Sequence, residues 1–245
     1  MLINMNRLSV LLCSVGFVII SIASIKYANT LPPAERKLVL YFTSFIQFLI
    51  VIGAYYYVPN KIKDFFLVQN SNGYHSISLR LLRFFICIVS LLAALIIVFS
   101  FTSFINIIQI DIYALIWLFL YQLILISFVE EVVFRGLIFG SLPKHSLQTI
   151  IVSSTLFSLY HWNNGLSALP YYFSIGILLA VFRHFGFPLY AVILWHALFN
   201  VTILSLFPFV EFRFGSLAYY MVVPVAFVCL SALSGWILVS NNRKL

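Results

Sequence analysis

The sequence predicts an all-α fold, a polytopic membrane bundle of about eight transmembrane helices, and three observations carry that prediction. The chain of 245 residues is 63% hydrophobic and 8% charged, where soluble proteins average about 25% charged. Its mean hydropathy is +1.10. The apolar residues also fall in runs of roughly 18–25, the length that crosses a hydrocarbon core about 30 Å thick. Such a chain packs helix against helix in lipid, with its backbone groups satisfied inside the helices.

Charge narrows the classes further. The formal charge of +8 comes from 14 Lys and Arg against 6 acids, and the basic residues are scattered singly or in pairs through the loops. That suits topology signals and anionic headgroups, whereas nucleic acid would require a clustered basic face, and no nucleic-acid motif is present. Cys13, Cys87 and Cys229 lie far apart in apolar runs without a CxxC pair. They read as small buried hydrophobes, with neither a disulfide framework nor a thiolate zinc site.

In chain order, the first span is expected over Leu8 to Ile25. Ser21 and Ala23 make a passable cleavage pattern, but the preceding segment carries only Arg7, so a retained span is preferred over a signal peptide. The second runs from about Leu38 to Val58. A polar stretch, Lys61 to Arg80, follows, with Asn70-Ser71-Asn72-Gly73 as its turn signal and an interfacial piece near Phe65 to Val68. The third covers about Leu82 to Ile108 and is ended by Asp111. The fourth starts near Tyr113 and ends in Glu130 to Arg135, with Gly136 and Gly140 allowing close backbone approach beyond it. A loop around Pro143-Lys144-His145 leads to the fifth, Leu147 to Trp162, ended by Asn163-Asn164-Gly165. Pro170 opens the sixth, which Arg183-His184 close. The seventh runs from Phe187 to Leu206, and the last, after Glu211-Phe212-Arg213, from Leu217 to Val239.

Eight spans put both termini on one side. With the N-terminus inside, the inner segments hold Arg7, Lys61, Lys63, Arg80, Arg83, Arg135, Lys144, Arg183, Arg243 and Lys244, and the outer loops only Lys26, Arg36, Lys37 and Arg213. The excess of basic residues therefore predicts cytoplasmic termini in a multi-pass protein of the cell membrane. No repeat and no soluble segment divides the chain, so residues 1–245 form one membrane domain, with 113–206 as its core helices.

Ionisable groups at membrane depth cost about 2.5–3.5 kcal/mol each on insertion scales. A chain with 6 acids nevertheless sets Glu130 and Glu131 side by side in an apolar run. On a helix of 3.6 residues per turn Glu131 and Arg135 share a face, and Glu130 points about 100° away. One glutamate is then structural and the other free to react, unless the pair simply marks a helix end emerging into the headgroups. Phe157 and His161 in the fifth span, and His196 and Asn200 in the seventh, each place polar chemistry one turn apart. Taken singly, such groups serve as helix–helix hydrogen bonds worth about 0.6 kcal/mol. Taken together they describe amide hydrolysis. A carboxylate and an imidazole sharing a water act as base and proton shuttle, and a second imidazole with a carboxamide can donate to a developing oxyanion.

The series Glu130-Glu131-x-x-x-Arg135, Phe157-x-x-x-His161 and His196-x-x-x-Asn200, in order on separate helices, resembles the signature of the CPBP family of intramembrane glutamic endopeptidases. That family includes CAAX prenyl endopeptidases and the bacteriocin-processing or self-immunity, Abi-like proteins. Phe173-x-x-Gly176 resembles its smaller intervening motif, and the likeness spans about Ile126 to Asn200. It implies Glu130 as the base, assisted by His161, with His196 and Asn200 as oxyanion stabilisers and Glu131, Arg135 and Phe157 in support. No cofactor is implied. Arg183-His184 stands where many relatives have a threonine-glycine pair, so the exit of the sixth span is expected to differ.

Three alternatives stand beside this reading. Zinc could be held by His161, His196 and Glu130, although HExxH spacing is absent. A non-catalytic scaffold, or a regulatory or immunity partner of the same fold, need not retain the whole polar set. A proton-coupled transporter would use the same buried groups, but no inverted repeat of broken helices is evident. The expected partners of an endopeptidase are the lipid bilayer and a peptide or membrane-protein substrate. Short loops and compact size point to a bacterial plasma membrane and a peptide precursor.

Overall fold

The computed structural model describes residues 2–57, 77–100, 102–104, 111–142, 147–206, 210–212 and 215–242. The interfacial piece and turn expected within 61–76, the 143–145 loop, Arg213 and the Arg243-Lys244 end lie outside them. Among the described residues the fold is all-α. Helix α1 spans Leu2–Ala28 and α2 Pro33–Tyr57, and α2 opens on a proline, whose missing N–H costs nothing at a first helical position. Helix α3 spans Ile77–Phe99 and α4 residues 112–141. Then come α5, Leu147–Tyr160, α6, Leu169–His184, α7, Leu189–Leu206, and α8, Gly215–Asn242. A short antiparallel ribbon pairs β1, Thr102–Phe104, with β2, Val210–Phe212, in the register Thr102 to Phe212.

Five stretches are long and apolar enough to cross a membrane: Leu81–Phe99, Ile112–Ile138, Leu166–His184, Leu189–Leu206 and Tyr219–Ser240. Large apolar side chains face outward along them, among them Leu81, Leu92, Ile116, Trp117, Met221 and Trp236. An outward apolar face of this extent is one that lipid covers. The protein is a multi-pass membrane bundle.

Four sequence expectations change. The third span ends at Phe99, well short of Ile108, because the chain turns into β1. Asp111 begins the next helix instead of ending this one: its carboxylate accepts from the amides of Tyr113, at 2.9 Å, and Ala114, an N-cap that satisfies two of the helix's orphan donors. The fifth element, α5, has 14 described residues, roughly 21 Å at 1.5 Å per residue, shorter than a hydrocarbon core about 30 Å thick, and ends at Tyr160, before Trp162. Finally, Cys229 is exposed on the outer face of α8 and so is not a buried hydrophobe, whereas Cys87 is half-buried and packs against the core; both are free thiols.

Lipid is as apolar as leucine, so helices associate here through close packing and interhelical hydrogen bonds rather than through expulsion of water. Both devices are present. A close approach is made between α5 and α6, where a Cβ on Gly176 would lie 3.1 Å from the Cα of Ser154. Gly136, expected to serve this purpose, would meet its neighbours only at 3.8 Å, an ordinary contact. Small hydroxyls tie the helices: Ser153 donates to the Phe134 carbonyl at 2.9 Å, Ser158 to that of Leu169 at 2.7 Å, and the Trp195 indole to Ser90 at 3.1 Å. Between them Phe134, Phe157, Leu178, Phe182, Phe199 and Phe227 are almost fully buried.

Candidate active site

Helix α4 is not uniform. It is α-helical over Ile112–Tyr121, widens to a π-helix over Gln122–Ser127, returns to α over Phe128–Glu131, and widens again over Val132–Ile138 before a last α turn, Phe139–Ser141. The two glutamates thus occupy a short α segment between two π segments, a kind of interruption that is rare and concentrated at functional sites. The helix continues ten residues past Glu131. Glu130, Glu131 and Arg135 are 3%, 0% and 0% exposed. This removes the reading of an ion pair at a helix end, and it also removes Arg135 from the loop charges that set topology, leaving nine inner basic residues against four outer.

Arg135 is held by three contacts, while its Nε is left without a hydrogen bond among the described residues. Its Nη1 donates to Glu131 Oε1 at 2.9 Å, the pairing expected from the four-residue spacing. Its Nη2 donates to the Gly176 carbonyl at 3.0 Å, and its plane lies 4.4 Å above the centre of the Phe157 ring, a cation–π contact. The close seating of Gly176 on α5 brings that carbonyl within reach. A larger residue at 176 would displace both.

The same Glu131 Oε1 accepts from His196 Nδ1 at 2.8 Å. His161 Nδ1 donates to the Phe157 carbonyl at 2.9 Å. In both rings the Nδ1 proton is committed, so Nε2 is the atom left for chemistry. Both Nε2 atoms face one carboxylate oxygen, Glu130 Oε2, from 3.9 Å for His161 and 3.8 Å for His196. These separations are too long for direct hydrogen bonds and match groups that share a water. Glu130 Oε2 is buried without a hydrogen-bond partner among the described residues.

His161 sits just past α5, at φ −90° and ψ 14°, and two short 3-10 turns, Trp162–Asn164 and Leu166–Ala168, carry the chain into α6. Gly165 between them adopts φ 94° and ψ 156°, a conformation essentially restricted to glycine. The reversal lays Tyr172 flat on His161, with ring centres 4.1 Å apart at 13°, while the Tyr172 hydroxyl accepts from Asn164 at 2.9 Å. Phe157 packs against both imidazoles, at 4.7 Å from His161 and 5.8 Å from His196. Asn200 Nδ2 donates to Gln122 Oε1 at 3.1 Å.

These groups open into one cavity of about 300 Å³, lined by Glu130, Phe157, His161, His196 and Asn200 together with Tyr121, Gln122, Tyr171, Tyr172 and apolar residues of α4, α6 and α7. All four residues expected to carry the chemistry share it. Glu131 and Arg135 stand behind it. Sequence reading missed Gln122 and Tyr172. A glutamine inside an apolar span was the available signal for the first; the second is one of 14 tyrosines and had none. No group of three or more His, Cys, Asp or Glu among the described residues is placed to hold a metal ion.

A buried carboxylate facing two oriented imidazoles, inside a lipid-covered helical bundle, defines a polytopic membrane protein with a cluster of ionisable groups in its interior. Residues 112–202, which contain every one of these groups, match the family model described as type II CAAX prenyl endopeptidase Rce1-like. That model belongs to the CPBP/CAAX proteases, and the matched segment runs from α4 to α7. No curated protein was found to match the chain.

Proposed function

We propose that the protein is an intramembrane endopeptidase that hydrolyses a peptide bond of a membrane-associated or small peptide substrate with a water activated by Glu130 and His161. The observation that carries this reading is the convergence of His161 Nε2 and His196 Nε2 on Glu130 Oε2. In the proposed reaction a water held between Glu130 and His161 attacks the scissile carbonyl carbon and gives its proton to Glu130. The carbonyl oxygen, now negative, accepts from Asn200 Nδ2–H and from His196, which donates through Nε2–H when protonated there with the Glu131 carboxylate behind it. Collapse breaks the C–N bond, and Glu130 returns the proton to the leaving amine. Preorganised donors of this kind contribute about 2.7–4 kcal/mol each, and acid–base transfer roughly 10²–10⁴ in rate.

The family's name points to CAAX-like processing. Maturation of a peptide precursor and bacteriocin self-immunity are the other uses of the same chemistry, and the short loops favour a peptide precursor. The proposed orientation keeps both termini cytoplasmic. In support, Arg83 near the start of α3 lies against Gly186 just after α6, so the start of α3 and the end of α6, which carries Arg183, share one end of the bundle.

The test compares small secreted and membrane peptides, by mass spectrometry, between cells carrying wild type and cells carrying Glu130→Gln. A peptide shortened only in wild type establishes proteolysis and supplies the substrate. A phenotype of the deletion strain that Glu130→Gln restores, with no peptide changed, assigns the scaffold role instead. Activity lost on chelation and restored by zinc would move the site to the metal reading.

A further inference from the structure

Gln122 belongs to the site by geometry, although no motif includes it. It stands eight residues before Glu130. On an ideal α-helix that spacing leaves the two about 80° apart, with Gln122 diametrically opposite Glu131. The π-helix over Gln122–Ser127 closes its hydrogen bonds one residue later and so absorbs one extra residue per turn. The eight-residue step then acts as seven, and the offset falls to about 20°. Gln122 and Glu130 consequently line the same cavity, and Gln122 is 6% exposed.

Its partner there is Asn200. Gln122 Oε1 accepts one Nδ2 hydrogen of Asn200 at 3.1 Å, an arrangement that turns the Asn200 nitrogen towards α4 and leaves its second Nδ2 hydrogen for the cavity. Without Gln122 the amide could turn and present its oxygen, a lone pair, to a developing negative charge. We propose that Gln122 is a positioning residue for oxyanion stabilisation, acting through Asn200, and that the first π segment of α4 exists to bring it there. This inference rests on the endopeptidase reading.

The experiment uses the full chain in lipid nanodiscs and, as probe, an internally quenched peptide mixture of random sequence, followed by kinetics on the single peptide that wild type cleaves fastest. Gln122→Met keeps length and removes both polar atoms; Gln122→Asn keeps the amide and withdraws it by one methylene. Both are expected to unfold at the wild-type temperature within a few degrees, to lower kcat at least tenfold, and to change KM less than threefold. Gln122→Met combined with Asn200→Ala is expected to fall within threefold of Asn200→Ala alone. Wild-type kcat in Gln122→Met, or a double variant slower by the product of the two single effects, overturns the inference while leaving the endopeptidase reading in place. Wild type no faster than Glu130→Gln on every peptide overturns the endopeptidase reading itself, and the inference with it.

Discussion

Helices α4 and α8 are of similar length and both strongly apolar, yet they obey opposite rules. Helix α8 contains Pro224 and Gly235, the residues that ordinarily break helices, and it remains α-helical over its 28 residues, Gly215–Asn242. Helix α4 has no proline, and its first π segment, Gln122–Ser127, has no glycine, but it departs from α geometry twice, on either side of Glu130 and Glu131. Propensity therefore does not set the breaks in α4. They coincide with side chains whose partners lie on other helices: Gln122 with Asn200, Arg135 with Gly176, Glu131 with His196. In α8 Tyr219 hydrogen-bonds Tyr171 of α6 without any departure from α geometry, and lipid-facing residues such as Val225 and Trp236 only have to be apolar.

Substitutions can break this contrast or sharpen it. The largest effect on folding is expected from Arg135→Ala, which strands Glu131 without its cation. Breaking one side of a buried pair costs about 3–5 kcal/mol, read as lost folded yield and a lower unfolding temperature in detergent. Arg135→Lys is expected to recover only part, since one ammonium cannot bridge Glu131 and the Gly176 carbonyl while lying over Phe157. Gly176→Ala comes next. The added methyl meets α5 backbone at 3.1 Å, and overpacking of that kind costs about 1–3 kcal/mol. Gly136→Ala, with ordinary contacts at 3.8 Å, is expected to be neutral or stabilising by up to about 1 kcal/mol. Equal losses at 136 and 176, measured by thermal unfolding, would contradict the assigned contact. The smallest effects belong outside the family segment. Gln47→Leu removes the bond from Gln47 to Ser21 of α1 and the long one it accepts from Tyr160 of α5, and should cost about 0.6 kcal/mol per bond. Pro224→Ala should leave cleavage unchanged.

The same contrast explains how far the sequence could be read. Run length gave the bundle and most helix positions, because crossing lipid leaves few alternatives for an apolar run of twenty residues. The four-residue spacings, Glu131 with Arg135 and Phe157 with His161, are local, and their contacts are those a regular helix predicts. What failed was whatever depended on irregular backbone. Gln122 went unread because 3.6 residues per turn would set it opposite Glu131, whereas the π segment turns it towards the cavity. The long third span was inferred from continuous apolarity, although the chain turns at Phe99 into a short ribbon. Asp111 was taken for a stop because an acid beside an apolar run looks alike at either end of a helix, and only the direction of its hydrogen bonds separates the two. Tyr172 reaches His161 through a reversal at Gly165, a tertiary feature with no local period.

The central claim is that Glu130 supplies the base while Glu131 supplies structure, two identical neighbours separated only by what surrounds them. The most direct measurement is the cleavage rate of Glu130→Gln against wild type in nanodiscs, at matched unfolding temperature, on the peptide that wild type cuts fastest. Glu130→Gln keeps the shape and removes the base. The account predicts a folded protein at least 10²-fold slower. A Glu130→Gln protein that cleaves at the wild-type rate would contradict it.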